Sequence, residues 1–114
     1  MRQVTLRREN GEVVVDECVV ADSPVSRLRG LLGRSGLRSG EGLLLRPASA
    51  IHTCFMRFPI DAVFLDDGMR VLRISDEIRP WRAASRRGAH AVLELPAGES
   101  ARRGLEVGDR LEAH

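Results

Sequence analysis

Lysine and tyrosine are absent from this sequence, and cysteine, tryptophan and phenylalanine are scarce, at two, one and three residues in 114. Two cysteines, Cys18 and Cys54, without a CxxC spacing fall far short of the disulfide framework that staples small secreted domains. A zinc site drawn from Cys18, His52, Cys54 and His90 would have suitable donor atoms but not the paired spacing of structural zinc motifs, so no metal is expected. No apolar run approaches the roughly 20 residues that span a bilayer. The start, Met1 to Leu6, alternates polar and apolar residues and lacks the continuous apolar core of a secretion signal. A cytoplasmic protein without membrane contact is therefore expected. Also missing are a Walker loop, a Rossmann glycine fingerprint and an HExxH helix, and with them the mechanical parts of nucleotide binding and zinc proteolysis. No cofactor is expected.

What is present suits one globular unit. A chain of 114 residues has room for a single core and no second domain, so residues 1–114 form one domain. All eighteen basic residues are arginine, which codon bias in a GC-rich genome explains more simply than selection for bidentate anion recognition. The net charge of +2 is too small to imply nucleic acid by itself. Two stretches nevertheless carry uncompensated arginines: Arg27 to Arg38, and Arg79 to Arg87 with Trp81 inside.

Along the chain, an alternating run at 2–8 and a β-branched run at 13–20 flank Asn10-Gly11, the dipeptide of a two-residue type I′ hairpin. Ser23-Pro24 reads as N-cap and first helical position, and Val25, Leu28 and Leu32 recur at helical spacing, predicting a helix near 24–32. The glycine- and serine-rich 34–42 is a loop. Strands are expected at Leu43-Leu44-Leu45, at Ala50 to Phe55, and from Ile60 to Asp66 after the interruption at Pro59. Asp67-Gly68 supplies a second two-residue hairpin into Met69 to Ile74. Arg79 to Gly88 reads as an exposed basic loop, Ala89 to Leu95 as a strand, 98–103 as a short helix closed by Gly104, and Arg110 to Ala113 as a final strand. Without βαβ alternation, the expected fold is mainly β with minor helices (α+β), an antiparallel sandwich or a partly open barrel.

The run Ala50-Ile51-His52-Thr53-Cys54-Phe55-Met56-Arg57-Phe58-Pro59-Ile60-Asp61-Ala62-Val63-Phe64-Leu65-Asp66 resembles the signature of the bacterial and archaeal family known as domain of unknown function 192. So do Arg29-Gly30-Leu31-Leu32-Gly33-Arg34, Gly40-Glu41-Gly42-Leu43-Leu44-Leu45, Arg79-Pro80-Trp81-Arg82, Val92-Leu93-Glu94-Leu95-Pro96-Ala97-Gly98 and Gly104-Leu105-Glu106-Val107-Gly108-Asp109, in the same order. The resemblance implies a compact β-rich fold with minor helices and no established biochemical function. The chain departs from it at Cys54, where an aromatic or other bulky residue is expected, and at Ala48 and Ala62, where something larger is expected.

Chemistry concentrates between His52 and Asp61, which hold an imidazole, a thiol, a hydroxyl, a guanidinium and a carboxylate within ten residues. On an extended strand His52 and Cys54 share a face. Pro59 breaks the ladder, so Met56, Arg57 and Phe58 form a bend that can aim side chains at a site. The competing account is structural: Arg57 paired with Asp61, and a hydrogen-bonded His52. Cys54 could be a thiolate beside His52 or Arg57, but a cysteine in a β-rich run is more often a small buried apolar residue. Glu94 is the only charge in Ala91 to Leu95, and either points to water or faces a groove. The expected function is binding of a small polar or anionic ligand in a groove formed by His52, Thr53, Met56, Arg57, Asp61 and Glu94. One alternative is a hydrolase-like enzyme using His52 and a carboxylate. Another is an accessory module that meets nucleic acid or protein through its arginines. Nucleic acid is not the expected partner, because Phe55, Phe58 and Phe64 are more economically placed in core or groove. Neither catalysis nor oligomeric state is legible.

Overall fold

The computed structural model describes residues 2–23 and 36–114, so the helix expected at 24–32 lies outside the described residues. In chain order the elements are β1 (Arg2–Arg8), β2 (Val13–Ala21), β3 (Glu41–Leu45), β4 (Ala50–His52), β5 (Ile60–Leu65), β6 (Val71–Ile78), β7 (Ala83–Ser85), β8 (Ala91–Pro96), the short helix α1 (Glu99–Arg102) and β9 (Leu111–Ala113). Seven strands make one sheet in the order β6-β5-β8-β3-β2-β1-β9. Only β2 and β3 run parallel; their neighbours pair antiparallel. The sheet curls until its edges approach at a bridge between Arg70 and Arg110, where Val71 N–H donates to the Asp109 carbonyl (2.8 Å) and Leu111 N–H to the Met69 carbonyl (2.9 Å). Of the two architectures expected, the partly open barrel is the one formed.

Both hairpins exist, but neither turn is the two-residue type I′. In each, a single residue takes the left-handed conformation: Gly11 (φ 92°) and Met69 (φ 65°). Gly11 N–H donates to the Arg8 carbonyl and Met69 N–H to the Asp66 carbonyl, which makes each a three-residue loop closed by a bulge. Asp66 Oδ1 accepts from the Gly68 and Arg70 N–H groups (both 2.9 Å), so a side chain shapes the second turn where glycine was expected to.

β5 is buried on both faces and β8 nearly so, which explains their almost unbroken apolar sequences. Leu6, Val15, Cys18, Leu44, Val63, Leu65, Leu93 and Leu95 fill the concave side. On the outer side Leu43, Leu45 and Ile60 form one cluster, and Ala62, Phe64 and Val92 another. A second layer covers these: a ribbon in which β4 pairs antiparallel with β7, plus Ala48, Met56 and Phe58. Two expectations are corrected here. The strand expected to reach Phe55 stops at His52, and the 79–88 segment expected to be all loop contributes β7. In both, pairing between short segments far apart in sequence decides the structure.

Candidate functional site

The expected site residues fall into three groups. Ile51 packs inward, so the next residue on β4, His52, points to solvent; Arg57 is exposed as well. Thr53 is fully buried and acts as a clamp. Its N–H donates to the Arg82 carbonyl (2.8 Å), and its carbonyl accepts from Trp81 N–H (3.0 Å) and Met56 N–H (3.2 Å). Its hydroxyl donates to the Arg79 carbonyl (2.6 Å) and accepts from Arg82 N–H (2.9 Å). These bonds weld the 53–56 turn to the 79–82 turn. Met56 is buried in the outer cluster beneath that weld.

Asp61 lies on the other side of the sheet. Strand alternation sends Ile60 and Ala62 outward and Asp61 toward α1. There Oδ1 accepts from Glu77 N–H (2.8 Å) and Gly98 N–H (3.0 Å), and Oδ2 from Ser100 N–H (2.9 Å) and Ser100 Oγ–H (2.6 Å). Four donors occupy the carboxylate's lone pairs. The pairing of Asp61 with Arg57 considered from sequence does not form: Arg57 is exposed on the outer layer while Asp61 is sealed beneath the opposite face.

Glu94 is 4% exposed. It sits beside Leu43 of β3 and Ala62 of β5 in register, so it projects into the outer layer where the two apolar clusters meet. Ala48 and Ile51 pack against both clusters. Among the described residues no hydrogen bond or ion pair reaches its carboxyl, and burial alone pushes its pKa up to about 7. Asp61 is in register with Leu95, one residue along, so the sheet separates the two carboxylates and they form no pair. No hydrogen bond links His52 to either carboxyl.

The cysteines are free and separated: Cys18 is in the concave core, where burial foremost pushes its thiol up to about 12, and Cys54 is half-buried in the outer turn. Among the described residues no three His, Cys, Asp or Glu side chains are grouped to hold a metal. No helix among them is long and apolar enough to cross a membrane.

Sequence reasoning missed one feature of this layer. Phe55, assigned to core or groove, is 70% exposed and rests against Trp81, itself 57% exposed, with ring centroids 4.6 Å apart. Phe64 is buried as expected, and Phe58 packs partly against the outer cluster. The available signal was the tetrapeptide Arg79-Pro80-Trp81-Arg82, set in a segment with too little apolar content to bury a tryptophan.

Comparison with known proteins adds relatives without adding an activity. The chain is 33% identical over 106 residues to a UPF0127 protein of Pyrococcus furiosus, covering 90% of each chain. It is 29% identical over 112 residues to one of Thermococcus sibiricus, covering 94% of this chain and 72% of the relative. Among solved structures it resembles a protein of unknown function from Novosphingobium aromaticivorans, with TM-score 0.82, 26% identity and coverage of 96% of this chain and 83% of the other. A Sinorhizobium meliloti protein superposes with TM-score 0.85 and 25% identity, covering 97% and 92%. Residues 5–113 match the model of domain of unknown function 192, described as an uncharacterized ACR. With nearly its whole length inside that match, the chain belongs to the domain of unknown function 192 family.

Proposed function

We propose that this chain binds a small polar or anionic ligand in its outer layer, between the main sheet and the His52 to Phe58 segment, with the Glu94 carboxyl as the polar anchor. The observation that carries this is the carboxyl of a residue only 4% exposed, which no hydrogen bond or ion pair reaches among the described residues. A carboxyl among Leu43, Ala62 and the outer clusters destabilises the fold, and an apolar side chain there would not. A costly, perturbed acid in a layer otherwise built of apolar residues fits a group retained for a ligand. With a pKa of about 7, Glu94 donates a hydrogen bond when protonated and accepts one when ionised. Arg57 and His52 at the rim supply donors to an anionic group. Thr53 and Met56 hold the roof, and Asp61 fixes the strand from its far side.

A thermal-shift screen of small carboxylates, phosphate esters, amides and polyols on the wild type and on Glu94→Leu tests the reading. Compounds that raise the melting temperature of the wild type are expected to have no effect on Glu94→Leu, which itself melts no lower. Hits that act equally on both proteins, or a panel without hits, would overturn it.

A further inference from the structure

Phe55 and Trp81 form the most exposed aromatic surface among the described residues, and the backbone holds them there. Both have left-handed φ, 66° and 65°, a conformation that bulky residues rarely adopt. The Thr53 clamp enforces it from both sides: the Thr53 carbonyl accepts from Trp81 N–H, and its hydroxyl and N–H lock the flanking Arg79 and Arg82 backbone. The rings are tilted by 59°, so each leaves surface open. The same two segments expose Arg57, Arg79 and Arg82 at the ring-pair end of the β4–β7 ribbon and Arg86 and Arg87 toward its other end, where Arg86 N–H donates to the Ser49 carbonyl, with no acidic residue in 50–60 or 79–88. The acids adjoining these segments are Asp61, consumed on the opposite face, and Glu77 before Arg79 on β6.

We infer that this patch binds single-stranded nucleic acid, a base stacking on the Phe55–Trp81 pair while backbone phosphates meet the arginines. Every base offers a flat π-face, and guanidinium groups match phosphate geometry. An acidic peptide would use the charge and leave the rings idle. A bilayer would need aromatic tips that enter independently, whereas these two are fixed against one another by a rigid backbone. The patch is on the solvent-exposed surface of the outer layer; it shares Arg57 with the ligand site proposed above but does not use Glu94.

Trp81 is the sole tryptophan and the chain has no tyrosine, so intrinsic emission reports on this patch alone. Titrating the full chain with a 15-nucleotide oligothymidylate at low salt is expected to quench that emission. Affinity should fall with salt at a log–log slope of about −2, as for three phosphate contacts. Phe55→Asn removes a ring while keeping a residue that tolerates the left-handed backbone, and is expected to bind about tenfold more weakly with an unchanged melting temperature. Arg79→Gln should flatten the salt slope, and Glu94→Leu should bind like the wild type. The inference fails if the oligonucleotide does not quench, if Phe55→Asn binds as well as the wild type, or if poly-glutamate or phosphatidylglycerol vesicles quench equally. The last outcome would reassign the patch to charge alone or to a membrane surface.

Discussion

Asp61 accepts both donors of Ser100, the backbone N–H at 2.9 Å and the hydroxyl at 2.6 Å, and so ties β5 to the first turn of α1. Its other oxygen holds Glu77, whose left-handed φ of 51° marks the irregularity in β6 opposite Asp61. Removing the carboxylate takes the acceptor from four donors at once, the two of Ser100 buried and those of Glu77 and Gly98 partly buried. Asp61→Ala is expected to cost about 3 kcal/mol or more, against about 1 kcal/mol for Ser100→Ala. Urea denaturation checks both, and equal small losses would show that the four bonds do not act together.

Glu94 makes stability depend on pH in a definite direction. Its folded pKa of about 7 exceeds the ordinary 4.5, so the folded state holds the proton more tightly than the unfolded chain. The contribution is fully present below pH about 4.5 and is lost as pH rises through about 7, a change on the order of 3 kcal/mol. Asp66, held low chiefly by the Arg70 N–H, acts with the opposite sign and at more acidic pH. Denaturation midpoints measured from pH 4.5 to 8 should decline for the wild type and stay nearly level for Glu94→Gln. A wild-type profile that is flat over that window would contradict the upward push of burial on the Glu94 carboxyl.

The two hairpin glycines should differ. Gly11 is left-handed, and a Cβ added there would meet nothing within 4 Å, so Gly11→Val suffers conformational strain alone, about 1 kcal/mol or more. Gly68 is not left-handed, and an added Cβ would meet Asp66 Oδ1 at 3.5 Å, an ordinary contact. Gly68→Ala should therefore stay within about 0.5 kcal/mol of the wild type in thermal melts. Similar losses at both positions would argue for the two-residue turns.

Thr53→Val keeps the shape of the side chain and leaves the Arg79 carbonyl and Arg82 N–H short of a partner. A loss of about 1–3 kcal/mol is expected, with Trp81 emission becoming less anisotropic as the turn loosens. Thr53→Ser should retain most of the clamp. If the valine variant melts with the wild type and its emission is unchanged, the clamp is not what holds the ring pair.

Local chemistry made part of this fold readable. Asn10-Gly11 and Asp67-Gly68 announce hairpins wherever the rest of the chain goes, and the apolar runs of β5 and β8 announce strands buried on both sides. The site was less readable because it depends on register. Asp61 and Glu94 are both acids in apolar strands, yet one points into the concave side and the other into the outer layer. Only the pairing of Ala62 with Glu94, 32 positions apart in the chain, decides which goes where. β7 was hidden for a related reason: Ala83-Ala84-Ser85 has no periodicity to detect, and it becomes a strand only because β4 lies beside it. Nor does a hydroxyl in a bend give any sign that the Arg79 carbonyl and the Arg82 N–H, far along the chain, will engage Thr53.

The near-closure of the sheet at Arg70 and Arg110 also governs how copies of the chain avoid one another. Among the described residues the rest of β6 is a border strand with no further strand beside it, where a second molecule could add a strand and begin to polymerise. Along that border Arg73, Asp76 and Glu77 are exposed charges, and Arg73 is further engaged by the Ser85 carbonyl at 2.6 Å. Charged side chains at a free border oppose edge-to-edge aggregation. Neutralising these three positions would leave the interior of the fold intact while removing its guard against self-association.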